Sequence, residues 1–177
     1  MDGIMIIKLC ENSSNAHHSY SVYNELISAS DNYMMYKITK NPASPLGDVL
    51  HHRMVYLERG KITPQEIIIN PKTELIEKIT FFVKQNSEYE IDLNTYNIIS
   101  KSGEPKIVFD ECTNDWKGRF YKIIKDCILL WGKKDNRLFF ILSDSQHTLF
   151  SIKITNTVSL LLDDKNDIKG ISIILLN

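Results

Sequence analysis

RLFFILSDSQHTLFSIK, residues 137–153, is the stretch on which the reading of the fold turns. Leu138 to Leu142 are five consecutive apolar residues, too few for a helix and rich in the aromatic and β-branched types that suit strands. A strand apolar on both sides is expected to be central and covered on both faces. Asp144-Ser145-Gln146 reads as a turn. Beyond it Phe150 and Ile152 alternate with Ser151 and Lys153, the pattern of a strand with one wet face.

Working outward, Ile128-Leu129-Leu130-Trp131 repeats the two-sided apolar pattern and also reads as a central strand. Lys133 to Asn136 and Asp163 to Asp167 are turn clusters. The C-terminal part is therefore expected to be a meander with strands near 119–125, 127–132, 137–143, 147–154, 157–162 and 168–176. Towards the N-terminus, Gly3 to Cys10, Met34 to Ile38 and Val49 to Leu57 read as strands. The loop Asn41 to Asp48, with two prolines and a glycine, interrupts them. Ala16 to Ser30 fits either template: Tyr20, Val22 and Leu26 suit a strand, while Ala16, Tyr20, Tyr23 and Ile27 share a helical face. Tyr89, Ile91 and Leu93 alternate with acids and read as a half-buried strand. Ser100 to Pro105 reads as a turn leading to Ile107 and Phe109.

One segment breaks the β pattern. Asn70 is a helix-capping residue type and Pro71 is pre-set for a first helical position. Leu75, Ile76, Ile79, Phe82 and Val83 then fall on one stripe at helical spacing, and Glu74 and Lys78 form an i,i+4 pair. The expected fold class is thus α+β, predominantly antiparallel β as a meander or sandwich-like sheet, with one clear helix near residues 71–86. Residues 1–177 are expected to form a single globular domain, since a chain of this size buries about 70% of its unfolded surface. A seam is expected near Asn86–Ser87.

The content of 43% hydrophobic and 24% charged residues argues against wholesale disorder. A formal net charge of −1 lacks the basic excess of a nucleic-acid binder or a polybasic membrane anchor. Cys10, Cys112 and Cys127 are odd in number and form no C-x-x-C pair, so they read as buried thiols of a reducing compartment. The opening Met1-Asp2-Gly3-Ile4-Met5-Ile6-Ile7 is too short and too acidic for a secretion signal. A cytoplasmic location is expected.

His17-His18 and His51-His52 invite a metal assignment. Neighbours on a strand face opposite ways, however, and no H-E-x-x-H spacing occurs, so no metal site is expected. Glycine-rich phosphate loops and the G-x-S-x-G nucleophile turn are absent from the sequence, and no cofactor is expected. Lys117-Gly118-Arg119-Phe120-Tyr121-Lys122 is a partial match to an RNA-binding strand motif, failing at its third and fourth positions. An ordinary edge strand is the better reading there. The acidic cluster Asp163 to Asp167 lacks the glycine and distal Glu of a calcium loop.

These exclusions favour a non-enzymatic protein-binding module. Its character matches bacterial immunity proteins, which neutralise one cognate toxin domain, such as a nuclease, by covering its active site. Asp110, Glu111, Asp115 and Trp116, acids flanking an aromatic on a loop, are the expected partner contacts. The alternatives are a small RNA-binding or hydrolytic domain using the paired histidines and the 117–122 strand, and a viral protein that binds a host factor.

Overall fold

The computed structural model describes residues 5–10, 19–42, 53–59, 62–70, 72–109, 120–124 and 128–175. Its strands are β1 (Met5–Cys10), β2 (Ser19–Ser28), β3 (Tyr33–Asn41), β4 (Arg53–Arg59), β5 (Ile62–Ile69), β6 (Ile76–Lys84), β7 (Asn97–Lys101), β8 (Glu104–Phe109), β9 (Phe120–Ile124), β10 (Leu129–Lys134), β11 (Arg137–Leu142), β12 (Thr148–Lys153), β13 (Val158–Leu162) and β14 (Ile168–Ile174). Two single-turn 3-10 segments, Ser87–Tyr89 and Leu93–Thr95, supply the helical content among the described residues. No helix there is long and apolar enough to cross a membrane.

The strands form two six-stranded sheets and a small pair. The first sheet runs β2-β3-β6-β5-β4-β9, the second β10-β11-β14-β13-β12-β7, and β1 pairs with β8. All pairings are antiparallel except β4 with β9 and β7 with β12. The chain leaves the first sheet at the end of β6, beside Asn86–Ser87, and returns to it with β9.

The helix expected near residues 71–86 is not formed, and the same residues make β6, a central strand hydrogen-bonded to β3 and β5. The local signals were real but serve another structure. Asn70 does cap: its side-chain oxygen accepts from the Lys72 and Thr73 amides, at 2.9 and 3.3 Å. That cap closes a tight turn, locked by Glu74 N to Asn70 O (2.7 Å) and Asn70 N to Leu75 O (3.0 Å), with Glu74 at a φ of 60°. Beyond the turn Ile79, Phe81 and Val83 point inward and are buried, while Lys78, Thr80, Phe82 and Lys84 are only half-buried. Lys78 pairs across strands with Glu66 at 2.8 Å instead of along a helix with Glu74. The β-branched and aromatic residues favour the strand once two neighbouring strands are in place.

A single apolar cluster lies between the two large sheets. Tyr36, Ile38, Ile67, Ile79 and Phe81 of the first meet Leu138, Phe140, Leu160, Ile171 and Ile173 of the second, with Ile107 of β8 added. Phe140, fully buried, sits 4.9 Å from the rings of both Tyr36 and Phe81. The outer face of the second sheet carries its own smaller cluster. Leu93 and Ile91 pack on Phe139, Ile141, Leu149 and Leu161 there. Strand β11 is therefore central and covered on both faces, as its sequence predicts. Its neighbour β10 is an edge strand with Leu129 to Trp131 half-buried, against the expectation of a central one. The segment around Ile91 is not a strand but an extended crossing braced by the two 3-10 turns. Its side chains still bury, because Gly132 leaves room for Leu93: a Cβ there would lie 2.9 Å from the Leu93 Cγ. Gly170 is required for a similar reason, since a Cβ would collide with the Phe140 carbonyl oxygen.

Candidate protein-docking edge

SYSVYNELIS, residues 19–28, builds β2. It is joined to β3 by the turn Ala29–Asn32, and Asn32 adopts a φ of 44°, which asparagine tolerates. The tip is tied down from β6: Asn32 Nδ2 donates to Gln85 O at 2.8 Å and Gln85 N to Asn32 O at 2.9 Å. At the other end Tyr20 reaches inward, its hydroxyl donating to Ile76 O at 2.5 Å. Burial, followed by the charges of Glu77 and Glu104, raises the Tyr20 pKa well above its ordinary value.

Between these anchors β2 is bare. It pairs with β3 on one side and, among the described residues, with nothing on the other. Val22 is 38% exposed, Tyr23 54%, Leu26 51% and Ile27 48%, and only Ile99, among the described large hydrophobics, joins them in exposure. Glu25 is the single charged side chain in the ten residues, and the strand has neither lysine nor proline. Those are the devices that normally protect a sheet edge from pairing, so this edge is open to an added strand. A register shift between Leu26 and Ser28 is its one irregularity.

The sequence left this segment undecided between helix and strand. Its apolar residues fall on both strand parities, as they do in β11, and pattern alone does not separate a strand buried on both faces from one exposed on both. The scarcity of charge was the available signal.

The other candidates fall elsewhere. Asp110, Glu111, Asp115 and Trp116 lie outside the described residues, as do the four paired histidines, Cys112 and Cys127. Phe120 to Lys122 belong to β9, at the far edge of the first sheet, in keeping with the edge-strand reading of that motif. Among the described residues no three His, Cys, Asp or Glu side chains converge as metal ligands. A cleft lined by Tyr20, Leu75, Ile76, Glu104, Pro105 and Ile154 holds about 20 Å³, room for one water molecule and far below the roughly 300 Å³ of a small-molecule site.

One buried ion pair and one lysine held by two aspartates are architectural. Lys40 Nζ meets Glu77 Oε1 at 2.9 Å on the inward side of the first sheet. Lys169 Nζ lies 3.0 Å from Asp144 and 3.8 Å from Asp163. Burial alone would lower the Lys169 pKa, but the Asp144 hydrogen bond and the charges of Asp144, Asp163 and Asp167 outweigh it and leave the pKa raised. Asp163, expected as a turn residue, is buried and caps its own turn by accepting from the Lys165 and Asp167 amides at 2.9 Å each.

Fold and edge together define a two-sheet β protein with an unprotected apolar strand. No known family model matches the chain, and no curated protein does.

Proposed function

We propose that this chain is a non-enzymatic, cytoplasmic protein-binding module of the immunity type, which neutralises a cognate toxin domain by covering it. The observation that carries the binding part of this reading is the β2 edge, where four exposed apolar side chains share ten residues with one charge. The occupant is an extended strand of the toxin domain, added beside β2 through backbone hydrogen bonds, with alternate apolar side chains meeting Val22 and Leu26 on one face. The low charge of β2 matches an apolar strand and would not attract a basic one. Electrostatic contact with a basic cleft falls to Asp110, Glu111 and Asp115, with Trp116 next to them in sequence. The immunity assignment itself rests on size, composition and the absence of enzymatic motifs from the sequence.

The test is co-expression with the products of neighbouring genes, followed by purification and assay of the partner's toxicity. A stoichiometric complex in which a toxic activity disappears is the expected result. Tyr23→Lys with Leu26→Lys is expected to weaken the complex at least about 30-fold, two exposed contacts at more than 1 kcal/mol each, while leaving the fold intact. Unchanged affinity in that variant would overturn the edge as the docking site. Asp110→Lys with Glu111→Lys tests those acids separately, and unchanged affinity there would remove them from the interface.

A further inference from the structure

A second binding feature lies on the outward face of the second sheet. Arg137 opens β11 on the same face as Phe139 and Ile141, the outward face of the second sheet. Phe139, Ser172 and Ser159 form one register row across β11, β14 and β13, and both serines are essentially without solvent exposure. The half-buried Arg137 guanidinium lies over that row, and its Nη1 donates to Ser172 Oγ at 2.8 Å and to Ser159 Oγ at 3.1 Å.

Both Nη1 protons are thereby used. Nε and Nη2, with three N–H groups between them, have no acceptor among the described residues, and no carboxylate there pairs with Arg137. That free edge of the guanidinium is the side-on fork, whose two parallel N–H vectors match the two oxygens of a carboxylate or phosphate. The neighbours are of like sign. Lys134 stands opposite Arg137 in the β10–β11 register and Lys153 opposite Ser159, both exposed. Asp135, at the hairpin tip, makes no ion pair among the described residues. Partial burial lowers the Arg137 pKa, the signature of a cation the protein has desolvated without supplying a counter-charge.

We infer that Arg137, held by Ser159 and Ser172, is an oxyanion-binding site that takes a group with two coplanar acceptor oxygens through its Nε–Nη2 fork. The two serines fix the guanidinium plane in advance, so the ligand need not order a long flexible side chain. Lys134 and Lys153 add attraction without competing for the fork. The shared chemistry fits two sources, a carboxylate or a phosphoryl group.

The experiment is an NMR titration of the full chain with sodium acetate and, separately, inorganic phosphate at constant ionic strength. It follows Arg137 Nε and the backbone amides of Arg137, Ser159 and Ser172. A saturable shift is expected. Tighter saturation by acetate assigns the site to carboxylates, tighter saturation by phosphate to phosphoryl groups. Arg137→Lys keeps the charge but loses the fork and is expected to bind roughly ten-fold more weakly. Ser159→Ala with Ser172→Ala keeps the arginine but frees its plane, and weaker binding is expected there too. Shifts that rise linearly without saturating for both anions, or that saturate equally in Arg137→Lys, would overturn the site.

Discussion

At the residue scale, a few side chains tie the two sheets together. Phe140 touches Tyr36 and Phe81 across the inter-sheet space and is fully buried. Phe140→Ala removes the ring and leaves a cavity between sheets whose backbones are held by their ladders. A loss of about 3–5 kcal/mol is expected in urea denaturation, while Phe140→Leu is expected to lose markedly less. Tyr20 makes a second residue-scale prediction. Its hydroxyl donates to Ile76 O only while protonated, and burial raises its pKa above the ordinary value of 10.0. Above pH 10 the unfolded chain releases this proton while the native state keeps it, so stability falls as pH rises. Lys169, also raised from 10.5, acts in the same direction. Stability is therefore expected to be flat from this cause below pH 10 and to decline above it. In Tyr20→Phe the neutral-pH stability should drop by about 1 kcal/mol for the lost hydrogen bond, and the alkaline decline should be shallower. Thermal melts from pH 8 to 11.5 read both effects, and an unchanged alkaline slope in Tyr20→Phe would remove Tyr20 as its source.

At the element scale, β6 and β2 show how far pattern reading reaches. Leu75, Ile76, Ile79, Phe82 and Val83 satisfy helical spacing, yet Ile79, Phe81 and Val83 satisfy strand spacing equally well. The choice is made by β3 and β5, which supply ladders on both sides of β6. Thr80, at the middle of that strand, stands opposite Lys37 and Glu66. Thr80→Pro removes a backbone donor from a central strand and is expected to abolish folding, as judged by loss of near-UV circular dichroism. A proline at Asn24 on the edge strand is expected to be tolerated, with a cost near 1 kcal/mol. If both variants fold equally well, β6 is not central. The same reasoning explains why the Asn70 cap misled: an Asx oxygen accepts from amides two and three residues on in a tight turn as it does at a helix start.

At the scale of the whole molecule, the two sheets share one buried cluster, and the strands that build it come from both halves of the chain. Removing either sheet would expose the inner face of the other. Unfolding is accordingly expected to be one cooperative transition. In a Trp116→Phe variant, fluorescence from Trp131, whose indole donates to Asn86 O at 3.0 Å, reports the junction between the sheets. Its denaturation curve should coincide with that from far-UV circular dichroism. Two separated midpoints would mean that the sheets unfold independently and that Asn86–Ser87 is a true seam.

The strands from residue 119 onward were legible in the sequence because short apolar runs, strict alternation and polar turn clusters are local properties. The observed bounds of β10 to β14 fall within a few residues of those read from the sequence. The absence of phosphate loops and nucleophile turns from the sequence was equally local. Other features depended on which strands meet. Whether Ile76–Lys84 is helix or strand, whether Leu129–Trp131 is central or at an edge, and whether Val22 to Ile27 are buried or bare are set by long-range hydrogen-bond partners. Residue order alone does not encode these. Arg137 shows the same division most sharply. As a residue in sequence it is one basic side chain after a turn, and only the register that brings Ser172 and Ser159 beneath it leaves its fork open. The sequence alone determined that this is a β-rich chain and where most of its strands lie. Tertiary structure decided which strand edge and which arginine fork lack a partner among the described residues, because satisfaction is a property of neighbours.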